Sequence, residues 1–140
     1  MTLVIDTDVV SFLYKQDTRA ELYRPHLTDP PFILAFMTLA ELRSWMRHRN
    51  WGAARRRRLE RYLQRYQLVY ATDALCERWA EATDSARRHG RPIGAADAWI
   101  AATALLQNVP LVTHNRAHYV GVEGLIVISE SHNAPAKRGA

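Results

Sequence analysis

Four oxygen-bearing side chains sit where chemistry could be done. Asp6 closes the apolar run Leu3-Val4-Ile5, and Glu41 lies just beyond a second apolar run at Phe32 to Phe36. Asn115 follows a third such run, Leu111-Val112-Thr113. The fourth, Asp97, belongs to Pro92–Leu106, a segment apolar almost all round and therefore read as a buried helix. No basic residue inside that segment can pair with Asp97, and a lone buried acid is costly to keep charged. Three carboxylates brought together repel one another unless a cation or a proton intervenes. Carboxylate and amide oxygens without cysteine favour a hard divalent ion such as Mg²⁺ or Mn²⁺. Such an ion lowers the pKa of a coordinated water and neutralises phosphate charge during in-line displacement.

Each of these residues also has a local reading. Asp6 or Asp8 could cap the helix that follows, and Thr38 with Glu41 matches a capping box. Asp97 near a helix start gains from the macrodipole without any metal. His114 and His118 have a spacing used in zinc sites, but no cysteine or third histidine lies near them. Arg55 to Arg58, continued by Arg61 and Arg65, could line a nucleic-acid path or bind an acidic protein segment, as could Arg116 in the loop after Thr113. The plainer reading is a solvated helix face with pairs such as Arg56–Glu60. Trp45, Trp51, Trp79 and Trp99 read as core or dimer contacts rather than base-stacking platforms.

The elements that must position these groups alternate in type. Leu3 to Ile5 reads as a strand and Val9 to Tyr14 as a helix; Thr18 with Glu21 suggests a capping box opening a helix towards His26. Asp29-Pro30-Pro31 is a turn. Phe32 to Phe36 is the second strand, with Thr38 opening a helix Leu39 to Arg49. Trp51 to Tyr66 is an amphipathic helix, with Leu59, Tyr62, Leu63 and Tyr66 at helical spacing. A third strand, Gln67 to Ala71, precedes a helix that starts near Thr72 and stops at His89-Gly90. The buried helix around Asp97, a fourth strand Leu111 to Thr113 and a last strand Leu125 to Ile128 complete the order. This pattern predicts an α/β fold, three layers with a mostly parallel central sheet of about four to five strands. Ligands of such sheets gather at the carboxyl ends of the strands, the edge to which all four oxygen donors map. Residues 1–130 read as one domain, and 131–140, polar and rich in small residues, as a flexible tail.

Composition narrows the setting. A chain of 140 residues, 48% hydrophobic, can bury a real core in a single domain. No apolar run is long enough to span a membrane, and the amino terminus lacks the pattern of a signal peptide. The single cysteine, Cys76, excludes an internal disulfide and suits the cytoplasm. A net charge of +5, mostly from arginine, fits a nucleic acid or an acidic partner protein.

Ile5-Asp-Thr-Asp-Val-Val10, Thr38-Leu-Ala-Glu-Leu42, Pro92-Ile-Gly-Ala-Ala-Asp97 with Ile100-Ala-Ala102, and Leu111-Val-Thr-His-Asn115 resemble, in this order and spacing, the motifs of PIN-domain proteins, and most closely the VapC-type toxin ribonucleases. The resemblance runs from Leu3 to about Ile128. It implies a metal-dependent endoribonuclease, a homodimer, neutralised by a small antitoxin protein. It also implies that Asp6, Glu41 and Asp97 hold the metal, with Asn115 in place of a fourth acid, and that Thr113 orients a water or a phosphate. Asp8 is a further acid that would support the others. The family often has an acid followed by an aromatic where this chain has His118-Tyr119, which leaves that corner less negative for a second metal. RNA rather than DNA as substrate rests on the resemblance alone. Two other classes stay open. One is a PIN fold that binds RNA or protein without catalysis. The other is a haloacid-dehalogenase-like phosphatase with Asp6 as nucleophile, for which neither Lys15 nor Lys137 is suitably placed.

Overall fold

The computed structural model describes residues 1–131, so all but the first residue of the expected tail lies outside the described residues. Five short strands form one parallel sheet: β1 (Val4–Ile5), β2 (Ile33–Ala35), β3 (Gln67–Val69), β4 (Leu111–Val112) and β5 (Val127–Ile128), in the order β3-β2-β1-β4-β5. Every neighbouring pair is parallel, with Val4 opposite both Ile33 and Leu111. The three central strands are buried on both faces, as their continuous apolar runs require.

Side-chain alternation along those strands divides the interior in two. Leu3, Ile5, Leu34 and Val112 pack with Val9, Val10, Leu39, Leu42 and Leu59, beneath α1 (Thr7–Lys15), α2 (Ala20–Tyr23), α3 (Phe36–His48) and α4 (Ala53–Leu63). Val4, Ile33, Ala35 and Leu111 face the other way, against Ala82, Ala86, Ile100, Ala101 and Ala104 of α5 (Asp73–Arg88) and α6 (Ala95–Gln107). The alanines of these two helices allow them to pack closely on each other and on the sheet. The expected three-layer α/β/α architecture is therefore present, with an all-parallel sheet.

Local chemistry explains most of the boundaries. The Thr72 hydroxyl accepts from the Leu75 N–H and caps α5. Gly90, at φ +70°, supplies the left-handed stop that follows that helix. α6 ends at Asn108 in the left-handed conformation. Two expectations need correction. Thr18 caps nothing: the Asp17 carboxylate accepts from the Arg19 N–H, and α2 is one short turn that passes into a 3-10 turn, Arg24–His26, containing Pro25. Likewise α3 opens at Phe36, directly after β2, and Thr38 and Glu41 lie inside it rather than forming its cap. A continuous apolar run does not reveal where a buried strand becomes a buried helix.

Candidate active site

The strand order reverses direction around β1: the chain steps outward through β2 and β3, then returns to place β4 on the other side. A crevice opens at such a switch point, outside the carboxyl ends of the strands. Asp6 leaves β1 there and Thr113 leaves β4; the Thr113 hydroxyl donates to Asp6 Oδ2 at 2.7 Å. The first turns of α1 and α6 bring Thr7, Asp8 and Asp97 to the same edge, and the second turn of α3 brings Glu41. A cavity of about 470 Å³ opens between them, lined by Asp6, Asp8, Glu41, Asp97 and Asn115 together with Thr7, Ser11, Trp45, His48 and His118.

Asp6 is 5% exposed and thoroughly held. Its Oδ1 accepts from the Thr7 N–H at 2.7 Å; its Oδ2 accepts from Thr113 and, at 2.9 Å, from the Tyr119 hydroxyl. The same phenol reaches Asp97 Oδ1 at 3.3 Å, so Tyr119 links the two acids that stand farthest apart in sequence. Asp97 Oδ2 lies 3.0 Å from His118 Nδ1. On the other wall, the Thr7 hydroxyl lies 2.6 Å from Glu41 Oε1 and 2.9 Å from the Thr38 hydroxyl. Glu41 is therefore drawn towards the strand-end acids, not back to its own helix terminus.

Asp8 occupies the third side. It accepts from the Val9 N–H, the His114 N–H and, at 3.1 Å, the Asn115 side-chain amide. Asn115 thus lines the cavity as expected while bonding to an acid. Thr113 is fully buried; its hydroxyl donates to Asp6 and accepts from the Asn115 N–H, so it positions Asp6.

The charges of these acids are poorly compensated. Burial raises the Asp6 carboxyl despite its three donors, and the Asp97 charge adds to the rise. Burial, then the charge on Asp6, raises Asp8 to about 7. Glu41 is also raised, by burial and by Asp6 and Asp97. Among the described residues no lysine or arginine forms an ion pair with any of the four acids; His118 beside Asp97 is the nearest substitute. The same residues contain no group of three His, Cys, Asp or Glu side chains already gathered as a metal cage. An all-oxygen donor set spread around a roomy cavity is suited to a hydrated Mg²⁺ or Mn²⁺, which keeps several waters and takes one or two carboxylates. It is unsuited to a closed four-ligand zinc site.

The remaining candidates lie elsewhere. His114 bonds to the Tyr23 hydroxyl and His118 to Asp97, so the two histidines serve different partners. Arg58 and Arg61 border a separate cavity with Tyr14, Tyr62 and Arg65, and Arg55 stacks on Trp51. Arg116 donates to the Val127 carbonyl. The Arg56–Glu60 pair is absent: Glu60 binds Arg43 of α3, and Arg56 donates to the Trp51 carbonyl. Sequence reasoning passed over Thr7, Tyr119 as a bridge, and the Trp45–His48 wall. Trp45 and His48 follow Glu41 by four and seven residues, a helical spacing that marks them as sharing its face.

The PIN domain family model matches residues 3–120. The chain is 30% identical over 118 residues to Ribonuclease VapC1 of Haemophilus influenzae strain R2866, covering 82% of this chain and 87% of that one. Its fold is similar to VapBC-1 from nontypeable Haemophilus influenzae, at 25% identity and a TM-score of 0.75 over 94% of this chain and 99% of that one. It is also similar to VapBC2 from Rickettsia felis bound to a promoter DNA fragment, at 19% identity and a TM-score of 0.78 over 92% and 98%, a likeness of fold alone. The four acids at the sheet's carboxyl edge lie within the matched segment, and the chain belongs to the PIN domain family, with VapC ribonucleases among its relatives.

Proposed function

We propose that this chain is an endoribonuclease toxin of a toxin–antitoxin pair, acting in the cytoplasm and cutting RNA in the presence of Mg²⁺ or Mn²⁺. The observation that carries the reading is the ring of four acids around one cavity without a lysine or arginine partner among the described residues, in a chain related to Ribonuclease VapC1. Asp6, Glu41 and Asp97 would hold the metal, with the Asn115 amide oxygen as a further donor. When bound, the metal supplies an activated water and neutralises charge on the phosphate. Thr113, Thr7 and Tyr119 keep Asp6 immobile, which fixes the floor of the site before substrate arrives. Tyr119 and His118 hold Asp97 at the rim. Asn115 orients Asp8, whose raised carboxyl can carry a proton near neutral pH.

The same reading includes an antitoxin partner and a homodimer. Proteins of similar fold include a toxin–antitoxin complex from Klebsiella pneumoniae and VapBC-5 from Mycobacterium tuberculosis, a member of the VapBC family of toxin–antitoxin systems. Phe36, Trp79 and Trp99, half-buried and in ring contact at 5.3 Å, supply an aromatic surface suited to subunit pairing.

Incubating folded protein, free of antitoxin, with total RNA tests the proposal. Cleavage should require Mg²⁺ or Mn²⁺, stop with EDTA, and be lost in Asp6→Asn and Asp97→Asn. Intact RNA under metal, with RNA or protein binding retained, would instead establish the non-catalytic module.

A further inference from the structure

Two of the helices that bring acids to the cavity carry cations at their opposite ends. α1 runs from Thr7 to Lys15, and α3 carries Glu41 and is closed by Arg49. Lys15 follows Asp8 by seven residues and Arg49 follows Glu41 by eight, about 11–12 Å of helix rise. Trp45 stands between, one turn after Glu41 and on the cavity wall. Lys15 Nζ lies 4.0 Å, and the Arg49 guanidinium carbon 4.2 Å, from the Trp45 ring centroid. The arrangement repeats outward: Arg55 stacks 4.2 Å from the ring of Trp51, whose centroid is 6.2 Å from that of Trp45.

These three cations differ from the arginines of the molecule that are held by carboxylates. Arg43, Arg78, Arg87 and Arg88 are engaged with Glu60, Glu81 and Asp84. Lys15, Arg49 and Arg55 are exposed and form no ion pair among the described residues. Their charges act on one another: burial first, then Arg49, with smaller contributions from Arg19 and Arg55, hold the Lys15 ammonium below its usual range against the opposing charge of Asp17. Cations fixed on aromatic rings and left without carboxylates are prepared to receive negative charge from outside, at reduced cost in side-chain entropy.

We infer that Lys15 and Arg49, held on Trp45 and continued by Arg55 on Trp51, form a phosphate-binding subsite that guides the RNA strand out of the acid cavity. The inference rests on the RNA-cleaving reading above. An RNA strand is the favoured occupant because the subsite continues the wall of the acid cavity and its charges are spaced along a path. A compact acidic ligand would need only one of them.

The test is cleavage of a single-stranded RNA oligonucleotide with Mg²⁺ across a range of salt concentrations. Lys15→Gln/Arg49→Gln should raise KM about tenfold and leave kcat near wild type. The slope of log(kcat/KM) against log[salt] should become shallower by about 1.4, the loss of two single-strand phosphate contacts. Lys15→Arg/Arg49→Lys should restore both values, while Trp45→Leu should raise KM. Arg78→Gln/Arg87→Gln, on α5, removes the same charge elsewhere and should leave the slope in place. Coincident thermal melts establish that the variants are folded. A wild type that cleaves while the Lys15/Arg49 variant keeps its KM and slope overturns the subsite alone. A wild type that cleaves no RNA overturns the parent reading and the subsite together. Loss of poly-glutamate peptide binding with unchanged RNA kinetics would assign the surface to a protein partner and also overturn the proposal.

Discussion

Replacing Asp8 by Asn should make the metal-free protein more stable at alkaline pH. Asp8 lies among other acids, and its carboxyl is raised from 3.8 to about 7 by burial and by Asp6. The sign follows from proton counting. Between about pH 4 and 7 the unfolded chain releases this proton while the folded one retains it, so stability falls as pH rises. Above about 7 the carboxylate is charged in both states and the penalty is complete. A gap of about three units corresponds to a ceiling of about 4 kcal/mol. Asp8 is only partly shielded from solvent, and Asn accepts less strongly from the Val9 and His114 N–H groups. Those losses leave a net gain of about 2 kcal/mol, or about 4–8 °C in Tm for a chain of this size. Thermal melts in EDTA at pH 4.5, 6 and 8.5 check it. The Asn variant should match wild type at the lowest pH and exceed it at the highest, and added Mg²⁺ should narrow the difference by stabilising wild type. An Asn variant that melts lower than wild type at pH 8.5, or a difference that does not vary with pH, would refute the reasoning.

Tyr119→Phe removes a donor shared by Asp6 and Asp97; melts should show a loss of about 1–3 kcal/mol, and kcat should fall more than KM changes. Gly121→Ala places a Cβ 2.9 Å from the Arg91 carbonyl oxygen and 3.0 Å from Ala86 Cα. Because backbone cannot yield cheaply there, denaturant titration should show a cost of about 1–3 kcal/mol. Ile100→Ala empties a position 1% exposed between α6 and the sheet, and the same titration should register about 2–5 kcal/mol.

The alternation of strands and helices was legible because each element carries its own local signal. Apolar runs of Leu3 to Ile5 and Leu111 to Val112 became central strands, and the periodic Leu59 and Leu63 marked the buried face of α4. Thr72 and Gly90 act over a few bonds, so their roles were also readable. Local signals failed where two were in competition. Thr18 had the right type for a cap, but Asp17 took the N–H of Arg19. Thr38 and Glu41 had capping-box spacing, but α3 had already begun at Phe36. Glu60 had a partner four residues away in sequence and chose Arg43 across a helix interface.

For the site, the sequence by itself determined that Asp6 stands at a strand end and Asp97 near a helix start, because those are local events. The tertiary structure decided how they are held. Tyr119 reaches Asp6 across 113 residues and Thr7 reaches Glu41 across 34, contacts that exist only because the strand order puts β4 on one side of β1 and β2 on the other. It also decided that Thr113 faces inward to Asp6 and that Lys15 and Arg49 meet on one indole. Spacing along a chain records which groups share a helix face or a strand face. It carries no record of which faces the sheet topology will bring together.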